Sequence, residues 1–159
     1  MEKKIPKNLA IRQLGRNEPI PYDLLLLADP TEDAINKYIF TSEIYVLEHD
    51  DSIIGICALQ AVSADEIEIK NIAVASNYQG KGLGKLLLRE AALKAKEKGF
   101  RAIIVGTGDA SLRQLRFYQE GGFQICGVRE NFFVDKYPEP IYEEGKRLRD
   151  MVILKKALV

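Results

Sequence analysis

Along the chain the spacing of apolar positions changes several times, and each change marks a boundary between elements. Leu9 to Leu14 alternates weakly, as a strand with one face in solvent does. Pro19 and Pro21 open a short segment, Tyr22 to Ala28. Asp29-Pro30-Thr31-Glu32 then reads as the start of a helix running to about Phe40, with proline near the first position and acids in the first turn. Two strands follow, Ile44 to Glu48 and Ser52 to Ala61, joined by the turn His49-Asp50-Asp51. Glu66 to Val74 alternates through Ile67 and Ile69, then becomes more apolar at Ile72, Ala73 and Val74. A tight turn at Ala64-Asp65 pairs it with the preceding strand.

After a polar, glycine-rich stretch from Ala75 to Lys85 the period lengthens. Leu87, Leu88, Ala91 and Ala95 recur at helical spacing with Leu83 leading in, while Lys85, Arg89, Lys96 and Glu97 fall elsewhere on the wheel. Gly99 ends this helix, with lysines in its last turns. Arg101 to Val105 is a short buried strand. Ser111-x-x-Gln114 has the form of a capping box and opens a helix to about Glu120, which stops at Gly121-Gly122. Phe123 to Val128 and Met151 to Leu154 are the last strands, separated by a long connection from Arg129 to Arg149. Strands followed by strand–helix–strand–helix–strand predict one α/β domain over residues 1–159 with a mixed sheet.

Composition narrows the partners. With 159 residues, 47% hydrophobic and 29% charged, the chain is long enough to bury a core without metal or disulfides. Lys+Arg and Asp+Glu both total 23, so no global basic field recruits nucleic acid or an anionic membrane. Cys57 and Cys126 lie in apolar runs without metal spacing and are expected as buried, reduced thiols; the only histidine, His49, sits in an acidic turn. Met1 to Pro6 lacks the apolar stretch of a leader, and Leu24 to Ala28 is far too short to span a bilayer, so a cytoplasmic protein without a bound metal is expected.

The chemistry gathers at Gln79-Gly80-Lys81-Gly82-Leu83-Gly84-Lys85, where a strand ends and a helix starts. Glycines let backbone N–H groups turn toward one point, and a helix N-terminus adds its positive dipole end, so the turn is an anion cradle. A nucleoside-triphosphate loop needs four residues between its glycine and Gly-Lys, then Ser or Thr. Here Gly80 to Gly84 leaves three, and Leu86 follows Lys85. A dinucleotide fingerprint needs its third glycine one residue later than it falls here.

The remaining pattern, Q-x-x-G-x-G at Gln79, Gly82 and Gly84, resembles the GNAT acyltransferase superfamily. The resemblance extends to the strand ending Asn71-Ile72-Ala73-Val74 and to Phe117-Tyr118-Gln119-Glu120-Gly121-Gly122-Phe123, which is similar to the family's Y-x-x-x-G-F ending. It implies a single domain of the α+β type, its mixed central sheet mainly antiparallel and flanked by helices. It also implies acetyl-CoA as cosubstrate and transfer of the acetyl group to a primary amine by direct attack. Backbone groups of Ile72, Ala73 and Val74 would then pair with the pantetheine arm, and those of Gly80, Lys81, Gly82, Leu83, Gly84 and Lys85 would hold the pyrophosphate. Lys81 and Lys85 would reach the 3′-phosphate, or simply be solvated.

By the same resemblance Tyr118 stands where the family carries a phenol near the departing sulfur, and Glu68 where some members carry a carboxylate base. Alternation puts Glu68 on the face opposite Ile67 and Ile69, with Glu66 beside it. Water is the alternative base. Ser111 stands where many relatives have Asn, and its contact with the cofactor is the weakest part of the match. Asp109 reads as a helix cap or an amine-facing acid, with the cap preferred. The loop from Asn131 to Glu144 mixes aromatics, acids and prolines. It lines a slot for a small cationic amine through Phe133, Tyr137 and Glu139, or else pins itself to the sheet or forms a homodimer contact. A non-catalytic acyl-CoA sensor and an acetyltransferase acting on protein lysines or N-termini remain as alternatives.

Overall fold

The computed structural model describes residues 6–159, so the expectation of no leader at Met1 to Pro6 lies outside the described residues in its first five positions. In chain order the elements are β1 (Leu9–Gln13), α1 (Tyr22–Leu25), α2 (Glu32–Asn36), β2 (Glu43–His49), β3 (Ser52–Ala61) and β4 (Glu66–Val74). Then come α3 (Leu83–Glu97), β5 (Ala102–Gly108), α4 (Leu112–Glu120), β6 (Gln124–Arg129), α5 (Phe132–Lys136), β7 (Tyr142–Glu143), β8 (Lys146–Arg147) and β9 (Met151–Ala157).

Seven strands form one sheet in the order β1-β2-β3-β4-β5-β9-β6, and β7 and β8 make a separate hairpin. Among the described residues only β4 and β5 run parallel, because α3 returns the chain between them; the other neighbours are antiparallel. The sheet is thus mixed and mainly antiparallel, as the family resemblance implied.

Each face of the sheet carries its own core. On one side Leu83, Leu87, Leu88, Ala91 and Ala95 of α3 press onto Cys57, Leu59, Ile67, Ile69, Ile103 and Val105, with Tyr118 and Phe123 closing the end. On the other, Leu24, Leu25, Ile35, Tyr38 and Ile39 cover Ile44, Val46, Ile56, Ala58 and Ala73. The apolar stripe spaced along α3 is the stripe that the sheet buries.

The structure corrects three expectations. The segment from Asp29 to Phe40 is not one helix. Thr31 caps α2, its Oγ1 accepting from the Ala34 N–H at 3.1 Å, and the helix ends at Asn36 before a 3₁₀ turn, Ile39–Thr41. The break lets Tyr38 leave the helix with φ −131° and bury its ring, so that its hydroxyl donates to Asp29. Cys57 is buried as expected, but Cys126 is exposed. It is the extra residue of a bulge in β6, which pairs only with β9 and forms the outer edge of the sheet. The connection from Arg129 to Arg149 also has structure of its own, namely α5 and the β7–β8 hairpin. No described helix is long and apolar enough to cross a membrane.

Candidate active site

The site begins with a break in the sheet. β4 and β5 pair over only four positions, Glu66↔Ala102 to Ile69↔Val105. Between β3 and β4 the register jumps from Leu59↔Ile69 to Ala58↔Asn71, so Lys70 is a bulge residue inserted where the pairing with β5 ends. Beyond it β4 stays on β3 through Val74, while Gly106 to Gly108 of β5 pair with β9. From Lys70 to Val74 the β5-facing edge of β4 therefore has no strand beside it among the described residues. Backbone N–H and C=O groups on such an edge can accept an extended ligand as if it were another strand.

Two cavities meet along this opening, one of about 330 Å³ and one of about 500 Å³, and Leu27, Ala28, Ile72 and Gln114 line both. The larger reaches the glycine turn and is lined by Ile72, Ala73, Val74 and residues from Gln79 to Lys85. Gly80 and Gly82 take φ of 78° and 81°, a region side-chain-bearing residues avoid, and Gly82 is the N-cap of α3. The first rung of the helix is Leu86 N–H to Gly82 C=O at 3.1 Å, so the N–H groups of Leu83, Gly84 and Lys85 precede the ladder. The Gln79 side chain has a bracing role, its Nε2 donating to the Val74 carbonyl at 3.0 Å and tying the turn to the end of β4. The arrangement sets the free N–H groups of a helix N-terminus, a geometry that suits an anion, at the end of an open strand edge.

The smaller cavity holds most of the titratable groups. Tyr118, on α4, is 5% exposed and lines it; Phe117 and Phe123 meet its ring edge-on at centroid distances of 5.1 and 5.6 Å. Burial, and then the neighbouring Cys57, push the phenol's pKa up, so Tyr118 keeps its proton. Burial alone pushes the Cys57 thiol up to about 12, which keeps it an inert core residue.

Glu68 lines the same cavity from the opposite face of β4 to Ile67 and Ile69, and Lys70 Nζ lies 3.5 Å from its carboxylate. Glu66 lies farther down the strand and pairs with Lys155 at 2.5 Å. Sequence and structure agree on which faces these residues take.

Asn71 was legible only as part of a motif, yet it organises one wall. It is 3% exposed, and its Nδ2 donates to the Leu25 carbonyl at 2.9 Å, to Tyr38 Oη at 3.0 Å and to Asp29 at 3.2 Å. Its Oδ1 is buried with no hydrogen-bond partner among the described residues. Plain alternation would put Asn71 on the face of Ile69. The bulge at Lys70 turns it onto the other face, where α1 and Tyr38 wait.

The remaining predicted residues divide. Ser111 makes no cap hydrogen bond and donates instead to Glu143 of the β7–β8 hairpin, so the capping-box expectation fails. Asp109 is neither a cap nor in either cavity. Its carboxylate accepts from the Arg149 N–H at 3.1 Å and anchors the end of the hairpin segment. Phe133 and Tyr137 both line the smaller cavity, their rings stacked at 6.0 Å and 14°, whereas exposed Glu139 lines neither. Lys81 lies over the Tyr78 ring at 5.3 Å, and Lys85 pairs with Glu120 at 2.9 Å.

Arg113, Gln114 and Phe117 line the larger cavity and Lys136 the smaller, unforeseen in sequence. The i, i+4 pair Arg113 and Phe117 on one face of α4 was the available signal. Among the described residues no group of three His, Cys, Asp or Glu side chains could hold a metal ion.

The comparisons with known proteins agree with this fold. The sequence model of a family described as "Acetyltransferase (GNAT) domain" matches residues 41–125. The chain is 43% identical over 133 residues to a Bacillus subtilis (strain 168) protein named "Uncharacterized N-acetyltransferase YvbK", covering 84% of this chain and 86% of that one. A crystal structure of a GNAT family acetyltransferase from Elizabethkingia anophelis with acetyl-CoA bound superposes with a TM-score of 0.92 at 44% identity, covering 96% of this chain and 99% of the other. A protein described as "IAA acetyltransferase from Bacillus cereus ATCC 14579" gives a TM-score of 0.88 at 42% identity, covering 95% and 100%.

Proposed function

Because this chain belongs to the GNAT acetyltransferase family, we propose that it transfers the acetyl group of acetyl-CoA to the primary amine of a small molecule by direct attack, with both substrates in the groove between β4 and β5. The observation that carries the proposal is the joining of the two cavities at Ile72. One runs to the anion-binding turn, the other to Tyr118 and Glu68.

In this reading the N–H groups from Gly80 to Lys85 hold the pyrophosphate, and Arg113 adds charge beside them. The open edge from Ile72 to Val74 pairs with the pantetheine arm, and a backbone N–H there polarises the thioester carbonyl. The amine must be neutral to attack, and Glu68, or a water it orders, takes its proton. Tyr118 donates a hydrogen bond to the departing thiolate. Because an ordinary phenol is a weaker acid than a thiol, the phenol stabilises the thiolate while the proton released by the amine completes the balance. Ser111 supports the groove indirectly, by tying α4 to the hairpin.

A small acceptor is favoured because α5 and the hairpin segment cover the smaller cavity, with Phe133, Tyr137, Ile141 and Leu148 in its lining. A peptide would have to displace that cover. Glu139, outside the lining, drops out of the acceptor site.

The test is release of free CoA thiol from acetyl-CoA across a panel of small amines and lysine peptides. We expect turnover of at least one small amine and little with peptides. Tight acetyl-CoA binding without turnover of any amine would leave a sensor instead. In the same assay Glu68→Gln is expected to lower kcat/KM about a hundredfold near neutral pH. An unchanged pH profile would return the proton to water alone.

A further inference from the structure

Six charged side chains line the smaller cavity: Asp29, Lys37, Glu68, Lys70, Lys136 and Glu143. Counted by sign they cancel, but counted by engagement they do not. Asp29 accepts hydrogen bonds from the Tyr38 hydroxyl and Asn71, and Glu143 accepts from the Ser111 hydroxyl. Glu68 and Lys70 face each other at 3.5 Å, and the Lys70 ammonium also lies 5.7 Å from the centre of the Tyr38 ring. Lys37 and Lys136 are left over, with no carboxylate within 4.0 Å among the described residues, although the Lys136 ammonium lies 4.9 Å from the centre of the Phe132 ring. Burial, and then Lys70 and Lys37 nearby, hold the Lys136 pKa below the usual lysine range.

Asn71 lines the cavity too, but its unsatisfied Oδ1 is buried and does not open into it. The three cavity carboxylates each already hold a donor, Asp29 and Glu143 from neutral groups and Glu68 from the Lys70 ammonium, whereas Lys37 and Lys136 hold no acceptor of that kind. A polyamine or amino sugar would bring more positive charge to two unpaired lysines, whereas an amine with an acidic group of its own would neutralise them.

We propose that the acceptor is an amine that also carries an anionic group of the carboxylate or phosphate type, and that Lys37 and Lys136 bind that anion while the amine faces the groove at Ile72. The inference rests on the reading that this cavity receives the acceptor. It narrows the acceptor from small amines in general to compounds of the amino-acid kind. Phe133 and Tyr137, stacked beside Lys136, then flank the body of the molecule rather than a cation. Lys37 at the end of α2 and Lys136 at the end of α5 come from segments far apart in sequence, so the clamp exists only in the folded chain.

The test uses matched pairs that differ only in the anion: α-amino acids against their amides and aminoalkyl phosphonates against the corresponding alkylamines, with putrescine as a dication. CoA thiol release with the full chain is expected to give kcat/KM at least about tenfold higher for the anionic member of a pair, through KM. This is so although the amide's less basic amine is the more easily deprotonated. Lys136→Met and Lys37→Met are each expected to reduce the acid-to-amide ratio about tenfold, and Lys136→Arg to retain it. Both lysines are exposed, so the substitutions leave the core intact, and the ratio cancels any loss of active protein.

Amides or putrescine turned over as well as the acids would overturn the anion clamp and leave the acetyltransferase reading standing. So would an acid-to-amide ratio unchanged in both methionine variants. Acetyl-CoA binding with no amine of any charge turned over would remove both.

Discussion

Replacing Tyr118 by Phe is expected to lower kcat about a hundredfold while changing acetyl-CoA affinity by no more than about twofold. The asymmetry follows from where the ring and the hydroxyl lie. The ring is packed between Phe117 and Phe123 in the core beneath the groove, and phenylalanine keeps that packing. The hydroxyl alone is lost. In the proposed ground state it would face a thioester sulfur, a poor acceptor. As the carbon–sulfur bond breaks the sulfur becomes a thiolate, and a neutral phenol beside it gains a charge-assisted hydrogen bond.

The raised pKa of Tyr118 works in the same direction, since the group stays protonated wherever the amine is free to react. The measurement is kcat by thiol release alongside acetyl-CoA binding by calorimetry, with circular dichroism as the control for folding. Equal kcat in the two proteins would remove Tyr118 from the chemistry.

The glycine turn should fail in the complementary manner. Gly82→Glu is expected to weaken acetyl-CoA binding about a hundredfold, near 3 kcal/mol, with the melting temperature little changed. Gly82 holds φ at 81°, and a Cβ built there would meet nothing within 4 Å, so the substitution makes no clash. Its cost is conformational and electrostatic. The free turn can relax to an ordinary φ, but binding the pyrophosphate would require the strained form again. The new carboxylate would also lie at the N-terminus of α3, competing for the dipole end that the phosphates would use. Gly82→Ala separates the two contributions, because it retains the strain without the charge and should cost about tenfold. Unchanged binding in both variants would show that the phosphates are held elsewhere.

How much of this was legible in the sequence depended on whether the signal was local. The helical stripe of α3, the paired strands β2 and β3, and the glycine turn each declare themselves within a dozen residues, and the structure returns them at nearly the expected bounds. Glu68 was placed on its face by alternation because Ile67, Glu68 and Ile69 precede the bulge. Asn71 lies after the bulge, and a one-residue insertion reverses every later assignment. Nothing in the sequence announces that insertion.

Ser111 and Asp109 carried the right local chemistry for capping, but the β7–β8 hairpin segment captured both, and a contact 32 or 40 residues away leaves no local trace. The charges that line the smaller cavity were hidden for a related reason. Glu139 was visible as an acid in an aromatic loop, while Lys37, Lys70 and Lys136 come together only through tertiary packing.

The parting of β4 from β5 has a consequence for the life of the protein as well as its chemistry. An interior strand edge without a neighbour is a fold left one strand short. A cosubstrate that lies along it completes the hydrogen bonding in the native state and has no counterpart in the unfolded chain. Acetyl-CoA at a hundred times its dissociation constant would add about 2.7 kcal/mol to the unfolding free energy. The melting temperature should accordingly climb with each decade of acetyl-CoA, and an unmoved transition at saturating concentrations would contradict the idea. Through that linkage the supply of acetyl groups in the cell would govern how long each molecule escapes proteolysis, and so how much of the enzyme persists when acetyl-CoA runs low.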